Sequence, residues 1–284
     1  MPDVTAVDPH THSTASDGTQ TPAELLRAAA AAGIDVLGLT DHDSVRGWAE
    51  AEAAVPETGV ALLRGAEISC AAEGITVHVL AYLHDPGHPD LEAQLRRTRD
   101  SREHRARRMV DRLAEDYPIT WEDVLAQRDG DATVGRPHIA DALVAAGSMP
   151  DRSSCFVTVL SPRGGYYLPH YAPDAVEICA AVRAAGGVPV MAHPRARLRA
   201  RVVPDRVVAE MAEAGLAGLE VDHRDHDDAS RSETAALARR LGLLRTGSSD
   251  YHGAGKPNVL GENLTDPEVL AAIEEAGALP LVRP

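Results

Sequence analysis

The sequence predicts an α/β fold of parallel strands closed into a barrel, with a helical insert in its middle. Three observations predict it. Short apolar runs alternate with helical segments, and strand-then-helix repetition implies parallel strands. Histidines and carboxylates stand at the ends of nearly all those runs, where a parallel barrel gathers its functional groups. The alternation stops between residues 99 and 171, which read as mostly helical.

The elements follow in order. Thr21-Pro22-Ala23-Glu24 opens a helix: Thr21 caps it, Pro22 fits the first turn and Glu24 reaches back. Gly33 ends it. Residues 36–40 are an apolar run and read as a buried strand, followed by Asp41-His42-Asp43 and a helix near 44–54. Strands are expected at 61–63 and 76–82. Residues 91–115 are long, charged and arginine-rich, and their Arg run interleaved with Glu and Asp reads as a solvated helix face. After the insert come a helix at 173–185, a strand at 188–192, a helix near 207–214 and a strand at 218–221. A helix at 229–241, a strand at 244–248 and a helix after Pro267 complete the pattern.

Composition narrows the function classes. With 284 residues, 44% hydrophobic and 25% charged, the chain is long enough to bury a sizeable core. A net charge of −15 argues against a general nucleic-acid binder, and 3% aromatics argues against a base-stacking platform. An acidic chain still handles phosphates when bound cations supply the positive charge. Three cysteines without a close pair suggest a reducing compartment. No signal peptide and no membrane-length apolar run is read, so the expectation is a cytoplasmic enzyme or binding protein.

Strand by strand, the polar residues are Asp8, His10 and His12; Asp41, His42 and Asp43; Glu67; His78; His193; Glu220, Asp222 and His223; and Ser248, Ser249, Asp250 and His252. His, Asp and Glu together suit Zn, Mn or Fe. His10 and His12 lie two apart, so an extended segment points both to one face. A buried carboxylate such as Glu67 is able to bridge two ions. Asp8 and Asp41, beside these residues, are expected to orient an imidazole. His84, His88, His104 and His170 read as surface or structural, His223 and His226 as a solvated acidic loop, and Cys70 as a small packed residue.

The ordered set Asp8-Pro9-His10-Thr11-His12-Ser13, Ser16-Asp17-Gly18, Leu39-Thr40-Asp41-His42-Asp43, Gly65-Ala66-Glu67, His78, Ala192-His193-Pro194 and Gly247-Ser248-Ser249-Asp250-Tyr251-His252 resembles the PHP (polymerase and histidinol phosphatase) superfamily. The family usually has Leu where this chain has Pro9, and proline suits an extended segment. The resemblance implies a distorted seven-stranded (β/α)7 TIM-like barrel, here residues 1–98 and 172–284, with 99–171 as an inserted helical cap. It implies two to three divalent metal ions, Mn foremost, with Fe or Zn compatible. His10, His12, Glu67 and Asp250 would hold the first. Glu67 would bridge to a second ion on His78 and His193. Asp17, His42 and His252 would hold the third.

Gly135-Arg136-Pro137-His138-Ile139-Ala140, followed by Gly164-Gly165-Tyr166-Tyr167-Leu168-Pro169, is similar to the small stand-alone bacterial PHP phosphoesterases. There the Arg-Pro-His segment holds phosphate, which implies catalytic and substrate-binding roles for Arg136 and His138. An arginine fork matches phosphate oxygens. Arg195, after Ala-His-Pro, is a further candidate for lining the pocket. The resemblance implies hydrolysis of a nucleotide phosphomonoester, a 5′-nucleotide or a nucleoside 3′,5′-bisphosphate, by a metal-bridging hydroxide. The chain is expected to act as a monomer, with no stable nucleic-acid partner and no membrane. Rival readings are a 5′→3′ exonuclease on short 5′-phosphorylated RNA or DNA, a histidinol phosphatase, a noncatalytic metal-binding accessory module, and an amidohydrolase. The last usually uses a lysine, and Lys256 is the only one near the expected site.

Overall fold

The computed structural model describes residues 4–130, 132–197 and 201–284. Seven strands form one sheet in chain order: β1 (Val7–Thr11), β2 (Val36–Leu39), β3 (Ala61–Ala72), β4 (Ile75–Tyr82), β5 (Val188–Met191), β6 (Gly218–Asp222) and β7 (Leu244–Gly247). The sheet curls until its ends meet: His12 N–H donates to the Tyr251 carbonyl at 2.9 Å, just past β1 and β7. The result is a nearly closed barrel. Helices α1 (Pro22–Ala31), α2 (Trp48–Thr58), α7 (Ala175–Ala184), α8 (Asp205–Glu213), α9 (Asp228–Leu241) and α10 (Pro267–Ala276) belong to it. Between β4 and α7 run α3 (Pro89–Leu113), α4 (Trp121–Leu125), α5 (Arg136–Ala145) and α6 (Arg152–Val157).

The expected helix start at Thr21 forms, with Glu24 N–H donating to Thr21 Oγ1 at 3.3 Å and Thr21 N–H donating back to Glu24 at 2.9 Å. Two expectations need correction. The strands are not all parallel: β4 runs antiparallel to both β3 and β5. The cause is local. Glu73 and Gly74 both take positive φ, 51° and 71°, and turn the chain within two residues, too few for a parallel crossover. The second helix begins at Trp48 rather than near 44. Asp43 adopts φ 52°, which no helix accommodates, and its N–H donates to the Glu67 carbonyl at 2.9 Å. The chain therefore runs beside β3 through His42 before it coils.

The insert has its own apolar cluster, including Met109, Leu113, Ile119, Ile139, Leu143 and Leu160. The N-terminal half of α3 instead gives Leu91 and Leu95 to the barrel cluster. A boundary at residue 99 thus falls inside one continuous helix that spans both cores. Two contacts tie the insert to the loop after β1: Arg152 donates to the Asp17 carbonyl at 3.2 Å, and Thr14 donates to Asp129 at 2.9 Å. All three cysteines are free and buried, and Cys70 donates to the Val77 carbonyl. Among the described residues, no helix is long and apolar enough to cross a membrane.

His84 is structural, as expected. It is fully buried, edge-on to Trp48, with Nδ1 2.9 Å from the Ala81 carbonyl. Burial pushes its pKa down to about 4, against the raising effect of that hydrogen bond. The folded value lies below the unfolded one, so His84 supports folding above about pH 6.5 and that support is lost as pH falls towards 4. His84→Gln keeps a donor for Ala81 and removes the titration. Its urea-unfolding free energy in metal-free protein should fall less between pH 7.5 and 4 than that of the wild type, by about 3 kcal/mol. Parallel losses would remove His84 as the cause.

Candidate metal centre

β1 delivers His10 within the strand and His12 just after it, both fully buried. The strand alternation brings their Nε2 atoms to 3.1 Å. Glu67 Oε2 from β3 lies 3.5 Å from His10 Nε2 and 3.1 Å from His12 Nε2. Asp250 Oδ1, after β7, lies 3.5 and 3.4 Å from the same two nitrogens. Four donor atoms converge. The five separations, 3.1–3.5 Å, are near the roughly 3.4 Å between ligand atoms of one ion held at roughly 2.0–2.1 Å, but Asp250 falls outside the compact group His10-His12-Glu67.

The other oxygen of Glu67 turns to a second group: Oε1 is 2.6 Å from His78 Nδ1 and 3.3 Å from His193 Nε2. His42 Nδ1 lies 3.1 Å from Oε2. On the far side, Asp17 Oδ1 is 3.3 Å from His252 Nε2 and 3.7 Å from His12 Nδ1, and Asp17 Oδ2 is 3.8 Å from His42 Nε2. All nine residues expected as ligands therefore meet at one end of the barrel. Among the described residues, the donor groups compact enough for one ion are His10-His12-Glu67, His42-Glu67-His78 and His12-Asp17-His42-His252. His12 and His42 each present donors to two groups, a sharing that spacing alone does not reveal.

The chemistry of these atoms fits bound cations. His12 Nδ1, His42 Nδ1 and His252 Nε2 are buried without a hydrogen-bond partner, a costly state that a cation relieves. Burial raises the carboxyl pKa values of Asp17, Glu67 and Asp250. The neighbouring His252, His78 and Lys256 charges, respectively, lead the opposing effects that hold them well below the ordinary range. Three non-glycine residues with positive φ stand here, Asp43 (52°), His193 (31°) and Asp250 (51°); two are expected ligands. Such strain concentrates at functional sites.

Asp8 and Asp41 do not orient imidazoles. Asp8 accepts from the Ser249 and Gly261 amides at 3.0 and 2.9 Å, holding the loop that carries Asp250. Asp41 accepts from Ser13 N–H, Ser13 Oγ and Ser16 Oγ at 2.8, 2.7 and 2.6 Å, holding the loop that carries Asp17. Glu220, outside the expected ligand set, does meet an imidazole: it lies 3.0 Å from His10 Nδ1. The signal for it was its place at a strand end.

The acidic-loop reading of His223 and His226 is also corrected. His223 is fully buried with Nε2 3.6 Å from Asp250 Oδ2, beside Lys256 Nζ at 3.0 Å from that oxygen. His226 Nε2 accepts from the Arg195 N–H at 3.0 Å, and its Nδ1 faces the Val221 carbonyl at 2.8 Å. Arg195 itself turns its guanidinium to Asp205 and the Val203 carbonyl, against α8, so it is engaged away from the donor groups.

At the insert, Arg136 donates to the Leu160 carbonyl at 3.3 Å and lies over Phe156 and Tyr167, 5.3 and 5.6 Å from the ring centres. His138 is buried, with Nδ1 accepting from Gly135 N–H at 3.1 Å. The arginine run of α3 is not wholly solvated. Arg102 and Arg105, three apart on one face, are 8% and 6% exposed. Arg102 donates to Asp43 and to Ser69 Oγ at 3.1 Å, next to His42 and two residues past Glu67. Burial, with Arg102 and Arg136 nearby, pushes Arg105 down to about 9. Burial and the same three cations hold His170 to about 3. Arg102 Nε and Arg105 Nε have no hydrogen-bond partner. Arg102, Arg105 and Arg136 thus crowd together beside His170.

A 3′,5′-nucleoside bisphosphate phosphatase of Chromobacterium violaceum is 34% identical over 251 residues, covering 88% of this chain and 88% of that protein. The PHP domain pattern matches residues 8–119. The chain belongs to the PHP family. A 5′-3′ exoribonuclease of Haemophilus influenzae is 33% identical over 90% of this chain and 93% of its own length. Among solved structures, a protein of Bifidobacterium adolescentis assigned as a metal-dependent phosphoesterase superposes with TM-score 0.93 at 44% identity, covering 98% of both chains. One described as an amidohydrolase of Chromobacterium violaceum, with bound sulfate and no metal, gives TM-score 0.87 at 31% identity over 98% of both. This PHP protein is a metal-dependent phosphoesterase with a distorted seven-stranded barrel.

Metal binding by this PHP centre should depend on pH. Burial lowers the His12 pKa, but Asp250 and Glu67 outweigh it and raise the value to about 9 in the metal-free chain. A ligating imidazole must be neutral, so below about pH 9 the ion displaces a proton. His10 is likewise raised well above its ordinary value, so apparent Mn²⁺ affinity is expected to rise at least about tenfold per pH unit from 6 to 8. Chelator competition measures it, and a flat profile would contradict the protonated state of His12.

Proposed function

We propose that this enzyme hydrolyses a phosphomonoester of a nucleotide, either a 5′-nucleotide or a nucleoside 3′,5′-bisphosphate. Two to three divalent cations serve it, Mn foremost, with Fe or Zn admitted by the mixed nitrogen and oxygen donors. The observation that carries the phosphate reading is the cluster of buried Arg102 and Arg105 with half-buried Arg136, next to the segments that carry His42 and Glu67. It supplies cations for a substrate phosphate in a protein whose net charge is −15.

Bound cations would supply an activated water and neutralise phosphoryl oxygens. The chain's own residues do the rest. His10, His12, Glu67 and Asp250 would hold one ion, Glu67, His78 and His193 a second, and Asp17, His42 and His252 a third. His12 and His42 are placed to be shared. Arg136 is stacked on two rings, so its fork keeps a fixed orientation for phosphate oxygens. His138 spends Nδ1 on the Gly135 amide, which leaves Nε2 to face the substrate. Residues 99–171 would cap the site and select small or end-on substrates. Arg195 drops out of the substrate set because Asp205 holds it.

A second reading, trimming RNA from a 5′-phosphate end, is favoured by the same arginine cluster, since a terminal phosphate would fill it equally well. Phosphate release by Mn-loaded protein separates the two. The panel is adenosine 3′,5′-bisphosphate, AMP, histidinol phosphate and a 5′-phosphorylated oligoribonucleotide. Preference for one nucleotide supports the phosphatase; stepwise shortening of the oligomer with mononucleotide release supports the exonuclease. No turnover despite bound metal would overturn both.

A further inference from the structure

We propose that Glu220 is a positioning residue that sets two of the ion sites together. The inference rests on the metal-centre reading. Glu220 is fully buried at the end of β6 and belongs to none of the compact donor groups formed by the described residues. Its Oε1 lies 3.0 Å from His10 Nδ1 and accepts from the Ser248 hydroxyl. Its Oε2 accepts from the main-chain N–H of His193 at 2.8 Å. One carboxylate thus joins the ends of β1, β5 and β7.

The two contacts act differently. An ionised carboxylate only accepts, so His10 Nδ1 donates to Glu220, which turns Nε2 towards His12, Glu67 and Asp250. At His193 the bond grips the backbone. His193 sits at φ 31°, which an L-residue keeps only when its surroundings hold it. Glu220 supplies that hold and so aims the ring at Glu67 Oε1. None of these hydrogen bonds reaches Asp17, His42 or His252. Glu220 reaches the third site only indirectly, through the shared His12.

Glu220→Gln tests this because an amide cannot accept on both sides. With its oxygen towards His10 and Ser248, its NH₂ opposes the His193 N–H. Turned over, it opposes His10 Nδ1–H instead. We expect Mn²⁺ affinity at the Glu67-His78-His193 and His10-His12-Glu67-Asp250 sites to drop about 10–100-fold in sum, with the Asp17-His42-His252 site within about twofold. Competition titration gives the affinities, and anomalous scattering from Mn-soaked crystals shows which ions are lost. Ser248→Ala keeps the charge and removes one donor to Oε1. It covers the case in which Glu220→Gln fails to fold, and should weaken the first two sites by about threefold. Unchanged affinities, or equal loss at all three sites, would overturn the proposal. The readout is metal rather than turnover: a wild-type chain that binds no Mn²⁺ sinks the centre itself, whereas a Mn-binding wild type with an indifferent Glu220→Gln sinks only the positioning role.

Discussion

Glu67→Gln is expected to lower kcat/KM for the phosphate ester by about a thousandfold or more, with loss of bound Mn²⁺. Both carboxylate oxygens are engaged, Oε2 with His10, His12 and His42, and Oε1 with His78 and His193. An amide offers one oxygen and one nitrogen that cannot ligate, so one group loses its donor whichever way the side chain turns. It also removes the negative charge that balances a nest of buried imidazoles. A thousandfold corresponds to about 4 kcal/mol, within the several kcal/mol that a metal ion contributes to the transition state. The backbone stays in place because Glu67 N–H bonds the Thr40 carbonyl irrespective of side chain. Metal content per chain and kcat/KM at saturating Mn²⁺ are the measurements. A variant with full metal and full activity would remove Glu67 from its central place.

Arg136→Ala should raise KM for phosphomonoesters about 10–100-fold and leave bound metal unchanged. A charge-assisted hydrogen bond is worth about 1.5–3 kcal/mol, and each 1.4 kcal/mol is a factor of ten. The metal is spared because none of the donor groups includes Arg136. Arg136→Lys separates charge from shape: it keeps the cation but loses the fork and much of the stacking on Phe156 and Tyr167, so its KM should fall between the two. Equal KM in all three proteins would place phosphate elsewhere.

The sequence alone showed much of the centre. Local rules made polar strand ends legible, with His10 and His12 on one face by strand alternation, but the choice of nine expected ligands, Asp17 among them, came from the resemblance to the PHP family. The element order was legible from local rules. The errors fall where neighbours in space are distant in sequence, or where one residue changes the backbone. The antiparallel β4 turns on the positive φ of Glu73, a conformation no propensity assigns to glutamate. The buried Arg102 and Arg105 look, in sequence, like any charged helix face, because their burial depends on Asp43 and the insert folding over them. Arg195 stands beside His193 in the chain, yet Asp205 draws its side chain away.

What the sequence by itself determined, then, is the chemistry on offer: an α/β barrel, its histidines and carboxylates, and a helical insert carrying an arginine run. What only the tertiary structure decided is the sharing. His12 and His42 each face two donor groups, and Glu220 reaches His10 across 210 residues of chain. The physical reason is that alternation and capping act within a few residues, whereas the partner of a buried donor is chosen by packing, under the penalty for leaving it unpaired.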